Sequence, residues 1–240
     1  FSGPTDVLEN AKGFMKLYGG ETFPEKLTAG LGRTWRVCDV AHKPYSACRH
    51  IHASIDALQQ IMAEKNIGNS EVTRVTARIF STGAAYVNDP QPWTDGKGLQ
   101  GARFSAQFNL AVLLTRGQEG LLSLMDSTQT LEALGSRELR DAMTRIEVVA
   151  DEELDANFPD QWSSIVTVED RAGHRFDRRV DYPLGEPEFP MSHHQLRMKF
   201  ERLVLLAGWP DKKCDAVWSS IATLSQPLEL ETVLNTIFPS

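Results

Sequence analysis

Residues 43–56 read KPYSACRHIHASID and bring cations, imidazoles, a thiol and a phenol together where a helix is predicted to begin. From residue 49 to residue 64, apolar side chains recur at helical spacing. They are Ile51, Ile55, Leu58 and Ile61 or Met62. Asn66 and Gly68 follow, and both residue types commonly end helices. The stretch therefore predicts a long helix whose lead-in carries a dense cluster of reactive and anion-binding groups.

Four short segments downstream have the alternation or the composition of β-strands. They are residues 71–80, 146–149, 164–169 and 175–181. The last two are joined by DRAGH at 170–174, in which Gly173 can supply the positive φ of a tight hairpin. We therefore predict an α+β fold, with a small, mostly antiparallel sheet covered by helices.

Other segments are predicted to be helical from their apolar spacing. They are residues 5–18, 102–115, the short segments 121–125 and 131–134, and helices around 212–224 and 228–237. Ser192 and Gln195 form a capping box that begins a further helix. Residues 88–101 are rich in Pro, Gly and Asp and predict a long loop, and residues 182–190 predict an extended connector.

Composition limits the possible partners and compartments. The chain has 240 residues and a net charge of −7, so it has no electrostatic basis for binding a nucleic-acid backbone. It lacks both a membrane-length apolar run and a secretion signal, so we expect no membrane partner. Its three cysteines form no framework, which favours a reducing cytoplasm. The apolar face of the first predicted helix needs a partner, so we expect an upstream region.

The cysteines raise three possibilities: a zinc site, an iron–sulfur cluster and a cysteine nucleophile. Cys48, His50 and His52 have the alternating spacing of a strand rather than a helix, which disfavours a zinc site. Cys38, Cys48 and Cys214 include no close pair, which disfavours an iron–sulfur cluster. Cys48 could act as a nucleophile with His50 as its neighbour. We expect no metal and no cofactor.

Several elements of the chain together resemble the MmgE/PrpD family in their order and spacing. They are residues 43–56, Tyr86-Val87-Asn88, RFSAQF at 103–108, Pro190-Met191-Ser192 with Lys199-Phe200, and Gly3-Pro4 with Leu8-Glu9 and Gly13-Phe14. Members include 2-methylcitrate dehydratase, cis-aconitate decarboxylase and iminodisuccinate epimerase, which act on small polycarboxylates without metal. The resemblance covers nearly the whole chain.

The resemblance implies a division of the chain into three parts. Residues 1–40 would end an all-helical domain, residues 41–190 would form a small α+β domain, and residues 191–240 would return to the helical domain. The cleft between the two domains would hold the active site. The implied partners are a small polycarboxylate, an upstream helical half of the same protein and a second copy in a homodimer.

The reactions of that family share proton transfer at a carbon next to a carboxylate, which requires cations and a poised acid or base. Lys43 and Arg49 lie at the start of the motif helix, where the helix dipole also favours anions, and we predict that they bind carboxylates together with Arg103. Lys43 could also act as an acid. The resemblance places Tyr86 in the active site, where nearby cations would favour its proton transfer. His50 is the alternative proton carrier. His52 is read as structural.

We therefore predict a lyase of the 2-methylcitrate dehydratase type that is inactive as an isolated fragment. An epimerase of an aspartate-like diacid is the alternative, since it begins with the same proton abstraction. A non-catalytic ligand-binding or dimerisation fragment is a further alternative. Decarboxylase members carry histidine near the position of Cys48, so the resemblance argues against decarboxylation.

Overall fold

The computed structural model describes residues 3, 5–94, 96–222 and 229–237, and it contains two compact units, Phe1–Val40 and Ala41–Ser240. Pro4, part of the Gly3-Pro4 element of the family resemblance, lies outside the described residues. The first unit contains α1 (Phe14–Gly19), α2 (Pro24–Thr28) and a 3-10 helix, Arg36–Asp39. Assignment of this unit to a helical domain stays a prediction.

The predicted helix at residues 5–18 is wrong over its first part. Residues 7–13 form turns and bends, and α1 begins only at Phe14. The carbonyls of Val7 and Leu8 accept hydrogen bonds from the amides of Phe14 and Met15, seven residues on, rather than four. The chain therefore folds back on itself here, although its apolar spacing suits a helix.

The second unit is built on a four-stranded sheet, so the predicted α+β class is confirmed. Its strands are β1 (Val72–Ile79), β2 (Ile146–Ala150), β3 (Ser164–Asp170) and β4 (Arg175–Val180). Their order is β2-β1-β3-β4, with β1 and β2 parallel and the other pairs antiparallel. Gly173 adopts a φ of 85° in the β3–β4 hairpin, as its sequence position predicts.

The motif helix, α3 (Arg49–Lys65), packs against β3 and β4. Its predicted apolar positions Ile51, Ile55, Leu58 and Ile61 are all buried. The hydroxyls of Ser54 and Ser164 lie 2.7 Å apart inside this interface. Asn66 ends the helix in the left-handed conformation, with a φ of 52°. The start of α3 is thereby held at a fixed place beside the sheet.

Helices between the strands cover the rest of the core. They are α4 (Ser81–Val87), α5 (Gly98–Phe104), α6 (Ala106–Ser123), α7 (Ser127–Gly135), α8 (Arg137–Met143) and α9 (Glu152–Asp155). The prediction of one helix over 102–115 is wrong at its start, because the Ser105 hydroxyl caps α6 by accepting from the amide of Phe108. Arg103 consequently lies in the last turn of α5 instead of opening a helix. The predicted loop at 88–101 is shorter than expected, because α5 begins at Gly98.

Three helices follow the sheet: α10 (His193–Leu206), α11 (Asp211–Ala222) and α12 (Glu229–Ile237). The predicted capping box of Ser192 and Gln195 is present at the start of α10. The predicted helices at 212–224 and 228–237 also form, although residues 223, 224 and 228 lie outside the described part of the chain. The connector at 182–190 is turned rather than extended, with a bridge between Glu186 and Phe189. Among the described helices, none is long and apolar enough to span a membrane.

Candidate functional site

The lead-in of α3, residues 42–48, is joined by hydrogen bonds to the turned connector, residues 182–190. The amide of His42 donates to the carbonyl of Gly185 at 2.8 Å. The buried Asp56 carboxylate accepts from the Tyr45 hydroxyl at 2.7 Å and from the Leu184 amide at 2.6 Å. Burial raises the pKa of Asp56, although both hydrogen bonds oppose the rise. Burial and the Asp56 charge also raise the pKa of Tyr45. The two segments are thus joined by buried polar contacts.

Two lysine side chains contact the backbone of this lead-in. Lys43 Nζ lies 3.4 Å from the carbonyl oxygen of Ala47, and Lys199 Nζ donates to the carbonyl of Lys43 at 2.6 Å. Burial lowers the pKa of Lys199, and the positive charge of Lys43 lowers it further. Within the described residues, neither lysine forms an ion pair with a carboxylate. The lead-in therefore carries positive charge that no carboxylate of the described residues pairs with directly.

His52 lies beneath these cations and is almost fully buried. Its Nε2 lies 3.3 Å from the carbonyl oxygen of Ala47. Burial lowers the pKa of His52 to about 3, with the charges of Lys43, Arg49 and Lys199 adding to the decrease and the Ala47 contact opposing it. His52 is therefore a neutral packing residue at physiological pH.

Arg49 lies at the first position of α3, but its charge is already paired. Its Nε donates to Glu186 Oε1 at 2.7 Å, and its Nη2 contacts Glu186 Oε2 in a fork-like arrangement. The guanidinium also lies 4.2 Å from the ring centroid of Trp162. Glu186 is 137 residues away in sequence, so no local pattern indicates this pairing. The predicted carboxylate-binding role of Arg49 would require exchange of this partner.

His50 is half-buried in an aromatic box. Its ring stacks on Trp162 at 4.9 Å and meets Phe80 edge-on at 5.2 Å. Its Nδ1 is buried and has no hydrogen-bond partner among the described residues. Burial lowers the pKa of His50, and the positive charges of Arg49 and Lys43 lower it further. An imidazolium would place an unpaired N–H in this box, so the geometry favours the neutral ring.

Tyr86 and Arg103 lie on neighbouring elements around the start of α3. Tyr86, in the last turn of α4, is 63% exposed, and its ring centroid lies 5.7 Å from that of His50. The Arg103 carbonyl accepts from the Cys48 amide at 2.8 Å, which places α5 against the N-terminus of α3. The half-buried Arg103 side chain forms no ion pair with another described residue. The five residues predicted for the site thus lie on elements that meet around the start of α3.

The thiol and imidazoles of the motif form no ligand set. The described residues include no group of three or more His, Cys, Asp or Glu side chains placed to hold a metal ion. His50 is enclosed by aromatic rings, whereas His52 contacts a backbone carbonyl. Cys38, Cys48 and Cys214 are free thiols. Cys48, His50 and His52 alternate in sequence, but the helical conformation places the two imidazoles in different surroundings.

Comparison with known families bears directly on this arrangement. The sequence model for the MmgE/PrpD C-terminal domain matches residues 45–214, which is most of the chain. The chain belongs to the MmgE/PrpD family. The match confirms the family and the C-terminal portion expected from the motifs. A search of the curated proteins found no match.

The MmgE/PrpD match covers the motif helix, the sheet and α10, and therefore includes two residues whose positions were not foreseen. Lys199 belongs to the Lys199-Phe200 element of the family resemblance, so its importance could be suspected from the sequence. Its contact with the Lys43 carbonyl could not. Glu186 lies in the proline-rich connector, where no local pattern distinguishes it from a surface acid.

Proposed function

We propose that this chain is the C-terminal part of a cofactor-independent lyase of the 2-methylcitrate dehydratase type, acting on a small polycarboxylate. The contact between the Lys199 ammonium and the Lys43 carbonyl carries the proposal, because it brings the Lys199 charge to the segment that bears Lys43, whose own charge lowers the pKa of Lys199. In the described part of the chain no carboxylate pairs with either of them. Two such charges repel each other and would be stabilised by an anion with more than one carboxylate.

The start of α3 adds to this attraction for anions. Cys48 occupies the N-cap position without a side-chain cap, so the first amides of the 17-residue helix have no side-chain acceptor there. Helix N-termini favour negative charge through these amides and through the helix dipole. Arg103, on the neighbouring α5, would hold a second carboxylate from another side. Arg49 would orient the substrate only after releasing Glu186.

Dehydration of a 2-methylcitrate-like hydroxy acid needs a base and an acid on adjacent carbons. The base takes a proton from the carbon next to a carboxylate, and that electron pair forms the double bond. Hydroxide leaves from the neighbouring carbon and receives a proton to become water. Lys43 and Lys199 would stabilise the charge that develops on the carboxylate during the first step.

Tyr86 is the better candidate for the proton carrier. Its side chain is mostly exposed and lies beside the aromatic box, where a substrate could reach it. His50 would instead remain neutral, because protonation would leave a buried N–H without an acceptor among the described side chains. We propose that His50 offers its Nε2 as a hydrogen-bonding group and that Tyr86 transfers the proton.

The remaining features of the proposal follow from the family. The domain would work with an upstream helical half, which would contribute the opposite wall of the cleft, and the protein would be a cytoplasmic homodimer. The isolated 240 residues would then lack turnover. Detectable activity from this chain alone would contradict the need for the helical half.

The reaction can be tested on the whole protein with two substrates. Incubation with 2-methylcitrate should produce alkene absorbance, whereas a chiral aspartate-like diacid should keep its optical activity. Loss of optical activity without alkene formation would replace the lyase by an epimerase. If neither substrate reacts, the proposed catalysis is wrong, and a ligand-binding role takes its place.

Replacement of Lys43 by methionine should weaken the binding of tricarballylate, a stable tricarboxylate, by about tenfold, because one charge-assisted contact is lost. Calorimetric titration of the chain measures this change. Lys65→Met is the matched control, since it removes the same charge at the C-terminal end of α3, whereas Lys43 lies just before its N-terminal end. Equal affinities of the two variants for tricarballylate would contradict the role of Lys43.

A further inference from the structure

A cavity of about 220 Å³ lies beside the lead-in, on the side formed by the C-terminal part of α6, the connector and α10. Its apolar wall includes Leu122, Met125, Leu184 and Met198. Lys43, Tyr86 and Arg103 do not line it. The cavity therefore differs from the site predicted for the polycarboxylate, although it adjoins the lead-in and shares Lys199, Tyr45 and Leu184 with the contacts described above.

The charges on the wall of this cavity do not cancel. Arg202 Nη2 and Glu119 Oε2 form an ion pair at 2.8 Å, so these two residues neutralise each other. Lys199 lines the cavity, and its ammonium lies at the carbonyl of Lys43, next to the lining residue Pro44. As far as the structure describes the chain, Lys199 has no carboxylate partner. Lys199 thus adds a positive charge at the edge of a mainly apolar space, which the titratable side chain of His194 also lines.

The size of the cavity limits the ligand. Its volume corresponds to about seven water molecules, which suits a molecule of about that number of non-hydrogen atoms. Methionine side chains are unbranched and polarizable, so Met125 and Met198 can adapt to a flexible apolar chain. A carboxylate would satisfy the ammonium, whereas a polycarboxylate would place further charges against the apolar wall at high cost.

We propose that this cavity binds a small monocarboxylate with an unbranched alkyl chain. The carboxylate pairs with Lys199, and the chain packs against Leu122, Met125 and Met198. This site does not depend on the proposed lyase reaction. It assigns Lys199 a second ligand, of a different class from the polycarboxylate proposed at Lys43.

Titration of hexanoate into the chain tests the proposal, with hexanamide as the uncharged probe of the same size. We expect hexanoate to bind at least about tenfold more tightly than hexanamide, because only hexanoate can form an ion pair with Lys199. Lys199→Met should remove this preference, and Lys65→Met should preserve it. Equal binding of the two probes to the unaltered chain would overturn the role assigned to Lys199.

A second pair of variants tests whether the ligand lies in the cavity. Met198→Trp fills the space and should abolish hexanoate binding, whereas Met198→Leu keeps a similar volume and should retain it. Met198 is 49% exposed, so both variants should fold, which circular dichroism can verify. Unchanged hexanoate binding by a folded Met198→Trp chain would overturn the site.

Tricarballylate separates this proposal from the proposed function. Hexanoate binding without tricarballylate binding would preserve the cavity site and contradict the polycarboxylate site. Tricarballylate binding without hexanoate binding would preserve the polycarboxylate site and contradict the cavity site. Lys199→Met alone cannot separate the two sites, because Lys199 belongs to both, so Met198→Trp provides the measurement specific to the cavity.

Discussion

Replacement of Gly185 by alanine should reduce the free energy of unfolding by at least about 4 kcal/mol, because the added Cβ has no space. This Cβ would lie 1.8 Å from the carbonyl oxygen of His42 and 3.0 Å from its carbonyl carbon. Both atoms belong to the backbone, so no flexible side chain can move aside. Gly185 also adopts a φ of 98°, which non-glycine residues avoid.

Gly173→Ala provides the matched control for this prediction. Gly173 has a comparable φ of 85°, but a Cβ there would meet no atom within 4 Å. This variant should lose only about 1 kcal/mol, from backbone strain alone. Urea unfolding followed by circular dichroism measures both losses. A Gly185→Ala loss no larger than that of Gly173→Ala would show that the lead-in and the connector can separate without cost.

The unaltered chain should also lose about 2 kcal/mol of stability between pH 7 and pH 5 through His52 alone. Its pKa is near the ordinary value of 6.5 when unfolded and about 3 when folded. Between these values the unfolded chain binds a proton that the folded chain does not, so acid favours unfolding. The contribution of His52 is complete above pH 6.5 and is lost as the pH falls towards 3.

His52→Gln isolates this effect, because its amide can still donate to the Ala47 carbonyl but does not titrate in this range. The difference in unfolding free energy between the two proteins should shift by about 2 kcal/mol from pH 7 to pH 5. Burial raises the pKa of Asp56, which gives an opposite slope in mildly acid solution. Asp56 is present in both proteins, so its contribution cancels. A pH-independent difference would mean that His52 is protonated in the folded chain.

The elements that the sequence predicted well are those with strong local patterns. Helix α3 has an apolar face along its whole length, and Asn66 ends it in a conformation that its residue type tolerates. The β3–β4 hairpin is set by Gly173, and the start of α10 is set by Ser192 and Gln195. Each pattern depends on residues within one turn or one strand, and such patterns can be read without a tertiary structure.

The short helices α4 and α5 were missed for a physical reason. Their sequences are STGAAYV and GLQGARF, and glycine destabilises a helix by about 1 kcal/mol relative to alanine. Close packing requires two of these glycines. A Cβ at Gly83 would lie 2.8 Å from the Phe80 ring, and one at Gly101 would lie 2.2 Å from the Pro92 carbonyl oxygen. Tertiary contacts thus favour helices that local propensity does not predict.

Local patterns and the spacing of motifs were enough to predict the α+β class, the four strands, the motif helix and membership of the MmgE/PrpD family. Which cations of the motif are available to a ligand depends instead on contacts between segments that are distant in sequence. Glu186 neutralises Arg49 across 137 residues, whereas Lys199 comes from 156 residues away to join Lys43 without bringing a negative charge. Periodicity and capping act between near neighbours, but the charge of a site depends on segments that only the packed fold brings together.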